Sequence, residues 1–146
     1  MKLENLTIEE FTTPAPVIVQ PQVAVEDAFT LMQRAKVHHL PVEFQGAIVG
    51  IISDRDLRPF LNRHWSRCIM VSDVMSAMPL AVPASLPIGD AAFLMAKNKI
   101  GSLLVNDENG ELSGIFTTTD VLNALVELTM PEARRSLEQD YLNEEG

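Results

Sequence analysis

The chain has 146 residues, 47% hydrophobic and 21% charged, with a formal net charge of −9 and a single cysteine. That is enough apolar material for one domain, or for two small ones sharing a core, and too much for a disordered chain. The negative balance argues against a broad nucleic-acid surface, which needs clustered Lys and Arg, and a lone thiol, Cys68, argues against a disulfide framework or a thiolate metal cluster.

No run of about eighteen apolar residues is available to cross a bilayer, and the opening stretch MKLENLTIEEF lacks the apolar region of a secretory signal. The expectation is a cytoplasmic protein without a membrane segment. Of the eleven basic residues, Arg34, Lys36, Arg55, Arg58, Arg63 and Arg67 fall between positions 34 and 67 with all three histidines, while acids dominate the C-terminal third. They could form one local patch for a small anion, or they could be separately solvated surface charges.

In chain order, a short apolar run PVIVQP (16–21) reads as a strand. Val25, Ala28, Leu31, Met32 and Ala35 then recur at helical spacing. HLPVEF and AIVGIIS follow around a turn as a hairpin, and DRDLRPFLN reads as a helix. After NRHWSRCIMVSD (62–73), a connecting segment that Trp65 and Met70 are expected to anchor on the core, the whole order repeats. PLAVPA is the strand, Ile88, Ala91, Leu94 and Met95 mark the helix, SLLVN and LSGIFT form the hairpin, and TTDVLNALVEL is the last helix of the unit.

The second unit is a copy of the first. Val25 matches Ile88, Asp27 matches Asp90, Leu31 and Met32 match Leu94 and Met95, and Leu40 matches Leu103, all 63 positions apart. One extra residue in NDENG relative to EFQG moves the offset to 64, a change that a hairpin turn tolerates. The divisions are residues 11–61, a linker 62–73, residues 74–128, and a tail 129–146, in which Ala133, Leu137 and Tyr141 would share one face of a further helix. A unit of about sixty residues is marginal alone. The expected architecture is α+β, two β-α-β-β-α repeats packed through their sheets with pseudo-twofold symmetry, their loops facing a shared cleft.

The repeated element GIISDRD (50–56) and GIFTTTD (114–120) carries the chemistry. Ser53 with Asp56, and Thr117 with Asp120, match the capping box that satisfies the first N–H groups of a helix. The same turn can serve an anion, because a helix N-terminus points free N–H groups outward. Arg55 adds a planar fork suited to phosphate, and Asp56 and Asp120 could accept the paired hydroxyls of a ribose. From the residues alone, cap and ligand site both remain open.

With these residues in view, the sequence resembles a tandem pair of CBS domains, the cystathionine-β-synthase-type modules that form a Bateman unit. HHLPV…GIISDRDL and VSDVMSAMPLAVPASLPIGDAAFLMAKNKIGSLLV…GIFTTTDVL carry the resemblance, which covers residues 11 to about 128 and is similar in kind to CBS-pair proteins of the acetoin-utilisation type. The resemblance implies a regulatory module, not an enzyme, with no obligatory cofactor and no metal, whose cleft binds an adenine nucleotide such as AMP, ADP or ATP, or alternatively S-adenosylmethionine or a dinucleotide. By position, Asp56 and Asp120 would hold ribose hydroxyls, Ser53 and Thr117 would contact ribose or phosphate, and Arg55 would reach phosphate. His38 and His39, with Gly101 and Ser102 as counterparts, would lie beside the ligand. Thr13 and Val17, and Ser76 and Leu80, would border the base, and Thr119 completes the second motif. The resemblance also implies a homodimer and a regulated protein that the sequence does not name.

Three further readings stand beside this one. His64 and Cys68 could be drawn as base and nucleophile, yet an i, i+4 spacing with no third group is a weak pattern. His38 and His39 are a poor metal pair, because neighbours on a strand point to opposite faces, so only one should face a given cleft. A dimerising scaffold whose motifs are only helix caps predicts the same fold. The lead into the first repeat, FTTPAPVIV, lacks the DVM that opens the second, so its contacts are the least secure part of the resemblance.

Overall fold

The computed structural model describes residues 6–15 and 17–130, and the expected C-terminal helix beyond Pro131 lies outside them. The first repeat contains β1 (Thr13–Pro14), α1 (Val25–Ala35), the hairpin β2 (His39–Phe44) and β3 (Ala47–Ser53), and α2 (Asp54–Leu57). The second contains α3 (Val71–Val74), β4 (Ser76–Ala77), β5 (Ala81–Pro83), α4 (Ile88–Asn98), the hairpin β6 (Ser102–Asn106) and β7 (Leu112–Thr117), and α5 (Thr118–Thr129).

The helices form for the reasons their spacing suggests. α1 buries Val25, Ala28 and Met32, and α4 buries the matching Ile88, Ala91 and Met95. Each stops at a lysine in the left-handed region, Lys36 at φ 56° and Lys99 at φ 53°, whose N–H returns to the last turn as a C-cap. Between β2 and β3, Gln45 and Gly46 both have positive φ, the two-residue turn whose twist suits a hairpin.

The pairing of strands is not that of two independent repeats. One sheet has the order β1-β7-β6-β5 and the other β2-β3-β4. β1, the lead strand of the first repeat, thus joins the second repeat's hairpin, with Pro14 opposite Gly114, while β4, the lead of the second, joins the first, with Ala77 opposite Gly50. The exchange continues upstream. Thr7 bridges Pro87, and its counterpart Met70 bridges Ala24. Leu6 and Ile8 lie in the second repeat's core with Ile88, Met95 and Phe116, whereas Val71 lies in the first repeat's core with Val25, Met32 and Leu40. A third cluster of Ile51, Leu104 and Ile115 joins the two sheets.

This exchange explains both motif glycines. A Cβ on Gly50 would stand 3.0 Å from the Ser76 carbonyl oxygen, and one on Gly114 would stand 2.6 Å from Thr12 Cγ2 and against the Thr13 carbonyl. The lead strand lies directly on each glycine, which is why neither position accepts a side chain. It also corrects the expectation that the first lead is unlike the second. Ile8–Glu10 forms a 3-10 turn where α3 stands, and Thr12 N donates to Ile8 O at 2.9 Å as Met75 N does to Val71 O at 2.9 Å.

Two other expectations differ from the structure. Among the described residues of PVIVQP, 17–21, there is a single bridge, Val19 with Val42, where the second repeat has β5 running parallel to β6. In the second repeat Leu104 N donates to Leu80 O at 2.9 Å. The matching residue in the first repeat is Pro41, which has no N–H to offer Val17. The helix expected over DRDLRPFLN is one turn, passing into a 3-10 turn at Arg58–Phe60, because Pro59 cannot donate and disfavours helix in the residue before it.

Candidate ligand-binding cleft

The two motifs open into one cleft of about 770 Å³, within the roughly 300–1,000 Å³ of small-molecule pockets. Both capping boxes are formed. In the first, Ser53 Oγ accepts from Asp56 N at 3.1 Å and Asp56 Oδ2 accepts from Ser53 N at 3.0 Å. In the second, Thr117 Oγ1 accepts from Asp120 N at 3.4 Å, and Asp120 Oδ2 accepts from Thr117 N at 2.8 Å and from its hydroxyl at 3.1 Å. The cap uses Oδ2 in each copy, leaving Oδ1 outside it, so capping does not exclude a second role.

Twelve of the expected residues line this cleft: Thr13, His38, His39, Ser53, Arg55, Asp56, Ser76, Gly101, Ser102, Thr117, Thr119 and Asp120. The strand exchange brings the lead residues there, since Thr13 sits on the strand beside β7 and Ser76 on the strand beside β3. The Thr13 hydroxyl approaches Asp120 and favours its charged form. Val17 and Leu80 do not line the cleft. Val17 packs on the first repeat's core, and the Leu80 carbonyl is committed to Leu104 N.

The electrostatics of the two halves differ. The first-repeat half carries Lys36, His38, Arg55 and Arg58 with Asp54 and Asp56, whereas Asp120 is the charged residue that the second contributes. His38 Nδ1 lies 3.0 Å from Asp54 Oδ2, with Arg58 3.9 Å from the same oxygen. Burial alone would raise the Asp54 carboxyl, but the His38 hydrogen bond, the Arg55 backbone N–H and the nearby cationic groups outweigh it and hold it below its ordinary value. Burial lowers the pKa of His39, against the pull of Asp54, Asp56 and Asp120, so this ring is neutral at pH 7. Burial raises Asp120, against the bonds from Thr117 and the influence of His39.

Both histidines line the cleft, contrary to the alternation argument. His38 lies in a bend before β2 begins at His39, so the two-residue period of a strand does not govern it. Of the six basic residues that could form an anion patch, Lys36, Arg55 and Arg58 line the cleft, and the left-handed C-cap of α1 delivers Lys36 to its rim. Asp54, which the capping pattern of Ser53 and Asp56 leaves unmarked, also lines the cleft. His64 and Cys68 are exposed and outside the cleft, in the segment where Trp65 meets Phe60 edge-on at 6.4 Å. A second cavity of about 520 Å³ is lined by Glu9, Asp107 and Glu108 without Lys or Arg, an unsuitable place for a phosphate.

The CBS domain family model matches the sequence twice, over residues 8–63 and 71–127. The chain belongs to the CBS domain family. As a CBS pair it is 29% identical to the CBS domain-containing protein DDB_G0289609 of Dictyostelium discoideum, covering 87% of this chain and 96% of that one. It is similar in structure to CBSX2 of Arabidopsis thaliana, in the crystal structure of CBSX2 in complex with AMP, with a TM-score of 0.63, 34% identity, and coverage of 84% of this chain and 97% of that chain. Inosine-5'-monophosphate dehydrogenase of Thermoplasma acidophilum is 32% identical over 82% of this chain, yet the chain spans only 23% of that enzyme. The enzyme's activity therefore does not transfer with the likeness. The two CBS repeats are those read from the sequence, and no helix of the described residues is long and apolar enough to cross a membrane.

Proposed function

We propose that this CBS pair is a regulatory module whose cleft binds an adenosine-containing nucleotide of the AMP, ADP or ATP type, and that occupancy shifts the arrangement of the two repeats in a way a partner protein reads. The observation that carries the reading is the convergence of Asp56 and Asp120, each with Oδ1 outside its cap, on one cleft with Lys36, Arg55 and Arg58 at one end. The likeness to CBSX2, whose crystal structure holds AMP, supports it.

In this reading Asp56 and Asp120 accept ribose hydroxyls, and Ser53 and Thr117 face ribose or phosphate. Thr13 and Ser76 border the base, with His38, His39, Gly101 and Ser102 beside the ligand. The charges of Arg55 and Lys36, and not the dipole of the single-turn α2, make the first-repeat end the stronger phosphate site. The half that holds Asp120 with Gly101, Ser102 and Thr119 favours a second reading there, a ligand with little negative charge such as S-adenosylmethionine.

A homodimer fits the outer surface. Leu122, Leu125 and Val126 form an exposed stripe on α5, on the side away from Ala124, and Phe93 on α4 is 63% exposed. A helix apolar on two faces is stable when both are covered.

Thermal unfolding with nucleotide decides between the sensor and a nucleotide-independent scaffold. A ligand at 100 times its Kd stabilises the native state by about 2.7 kcal/mol, which for a chain of this size raises Tm by roughly 8–10 °C. No shift with AMP, ADP, ATP or S-adenosylmethionine, on protein shown by mass spectrometry to be free of bound nucleotide, overturns the reading. If it holds, Arg55→Ala weakens ATP more than AMP.

A further inference from the structure

The internal repeat offers a control for each residue of the cleft. At the first-repeat end, His38, Asp54 and Arg58 form one connected group: His38 Nδ1 is 3.0 Å and an Arg58 nitrogen 3.9 Å from the same Asp54 oxygen. In the second repeat the matching positions are Gly101, Thr118 and Leu122, and all three charged or titratable groups are gone together. What the two turns share is the backbone: Asp54 N donates to His38 O at 2.9 Å, and Thr118 N to Gly101 O at 3.0 Å. The turn therefore forms without the carboxylate, so the fold does not require Asp54.

Its energetic value as a surface ion pair is also small. The His38 and Arg58 side chains are 80% and 64% exposed, and pairs of that exposure contribute little. Asp54 itself is only 23% exposed, and its oxygen faces the cations that line the cleft. Among the described residues, Lys36 and Arg55 make no ion pair, while Arg58 and His38 are engaged by Asp54.

We propose that Asp54 is a built-in counter-ion that sets the charge preference of the cleft, engaging His38 and Arg58 with an internal carboxylate so that a ligand with one phosphate is favoured over one with three. This rests on the nucleotide reading for the identity of the ligand, but not for the charge effect itself. A fixed negative charge beside the phosphate position repels every ligand charge that faces it. At about 6 Å in a solvent-exposed cleft each such charge changes affinity by roughly threefold before salt screening, so the two further charges of ATP over AMP amount to about tenfold. The carboxyl remains ionised throughout the neutral range, since its pKa lies below the ordinary value.

The test uses Asp54→Asn, which keeps the shape, and Asp54→Thr, which installs the residue the second repeat carries at that position. Affinities for AMP, ATP and inorganic tripolyphosphate are measured by isothermal titration calorimetry at low and at physiological salt. Both variants are expected to raise the ratio of ATP to AMP affinity about tenfold at low salt, less at high salt, and to tighten tripolyphosphate, whose every charge is repelled, by at least about tenfold. A role limited to stability would shift Tm and leave the ratio alone; a ratio unchanged within twofold overturns the proposal. If no adenine nucleotide binds any of the three proteins, the nucleotide reading fails, and tripolyphosphate still decides. Tighter binding by both variants sustains the counter-ion role, while unchanged or absent binding in all three proteins refutes it.

Discussion

Replacing Asp120 tests whether one carboxylate both caps a helix and receives a ligand. Asp120 is 6% exposed and Thr117 8%, and Asp120 Oδ2 accepts the Thr117 N–H at 2.8 Å. Asp120→Ala leaves that N–H buried without its acceptor, at a cost of about 1–3 kcal/mol. Part of this is returned, because burial already disfavours the charged carboxyl, as its raised pKa shows. A net loss of about 1–2 kcal/mol follows, which lowers Tm by roughly 3–6 °C. Asp120→Asn keeps an oxygen for the Thr117 N–H and is expected to lose less than about 1 kcal/mol. Ligand affinity separates differently. A hydrogen bond to a charged group contributes about 1.5–3 kcal/mol, so AMP binding weakens about 10- to 100-fold in the alanine variant, and the asparagine variant is expected to lose most of that too. Urea unfolding and calorimetric titration with AMP give the two quantities on the same samples. If Asn destabilises as much as Ala, the cap argument is wrong, and if Ala binds AMP with unchanged Kd, so is the ribose argument.

The depressed pKa of His39 predicts a pH dependence of stability. The stability held by the neutral ring is complete above its ordinary value of 6.5 and is lost as pH falls through the lower folded value, because the unfolded chain takes the proton first. His39→Gln should flatten the urea midpoint between about pH 5 and pH 7, and an unchanged slope counts against it. Gly114→Ala forces a Cβ onto Thr12 and the Thr13 backbone; it should cost about 1–3 kcal/mol and speed amide exchange at Ile115. Gly89→Ala, in α4 where a Cβ meets nothing within 4 Å, should be neutral or stabilising by up to about 1 kcal/mol; equal effects from both would sink the strand-exchange account of Gly114. Leu122→Glu combined with Leu125→Glu is expected to yield monomer by light scattering, and a dimer mass in this variant would remove α5 from the interface.

How far the sequence could be read follows from which features are local. Helical spacing in α1 and α4, the hairpins and the two capping boxes depend on residues within a few positions of each other, and each was legible. The exchange of β1 and β4 was not, because it pairs Thr13 with Ile115 and Ser76 with Ile51, partners that no period reveals. Its signal was present in the alignment of Ile8 with Val71 and of Thr13 with Ser76, but without the DVM letters the first lead looked unrelated. In the sequence Gly50 and Gly114 are only letters of the repeated motif, whereas the structure makes them seats for the exchanged strand. Pro41 is one letter of LPV in the sequence, and its missing N–H gains meaning only beside the bond that Leu104 makes to Leu80 in the second repeat. Within the cleft, residue type alone marks Lys36 only as one of six cations, because its placement depends on a C-cap angle, and leaves Asp54 unmarked, because its placement depends on a cross-turn contact.

The exchange bears on how a ligand could move this molecule. In a pair of repeats with separate sheets, a ligand held by Asp120 would touch one repeat and have little reason to alter the other. Here Thr13, from the first repeat's lead, stands against Asp120 in the second, and His39 of the first lies within the influence of Asp54, Asp56 and Asp120 together. Under the proposed reading, a nucleotide at either aspartate therefore contacts side chains of both repeats, and its affinity depends on their relative placement. That dependence is what a population shift requires, since a ligand that binds two arrangements equally moves neither. A differential of about 1.4 kcal/mol, one good charged hydrogen bond made in one arrangement and not in the other, is enough for a tenfold change in their ratio. The coupling runs through the exchanged leads: β1 and β4 are each short, with two paired residues, but Leu6 and Ile8 anchor one lead in the second repeat's core and Val71 anchors the other in the first's, so a change at either aspartate is passed to the opposite core.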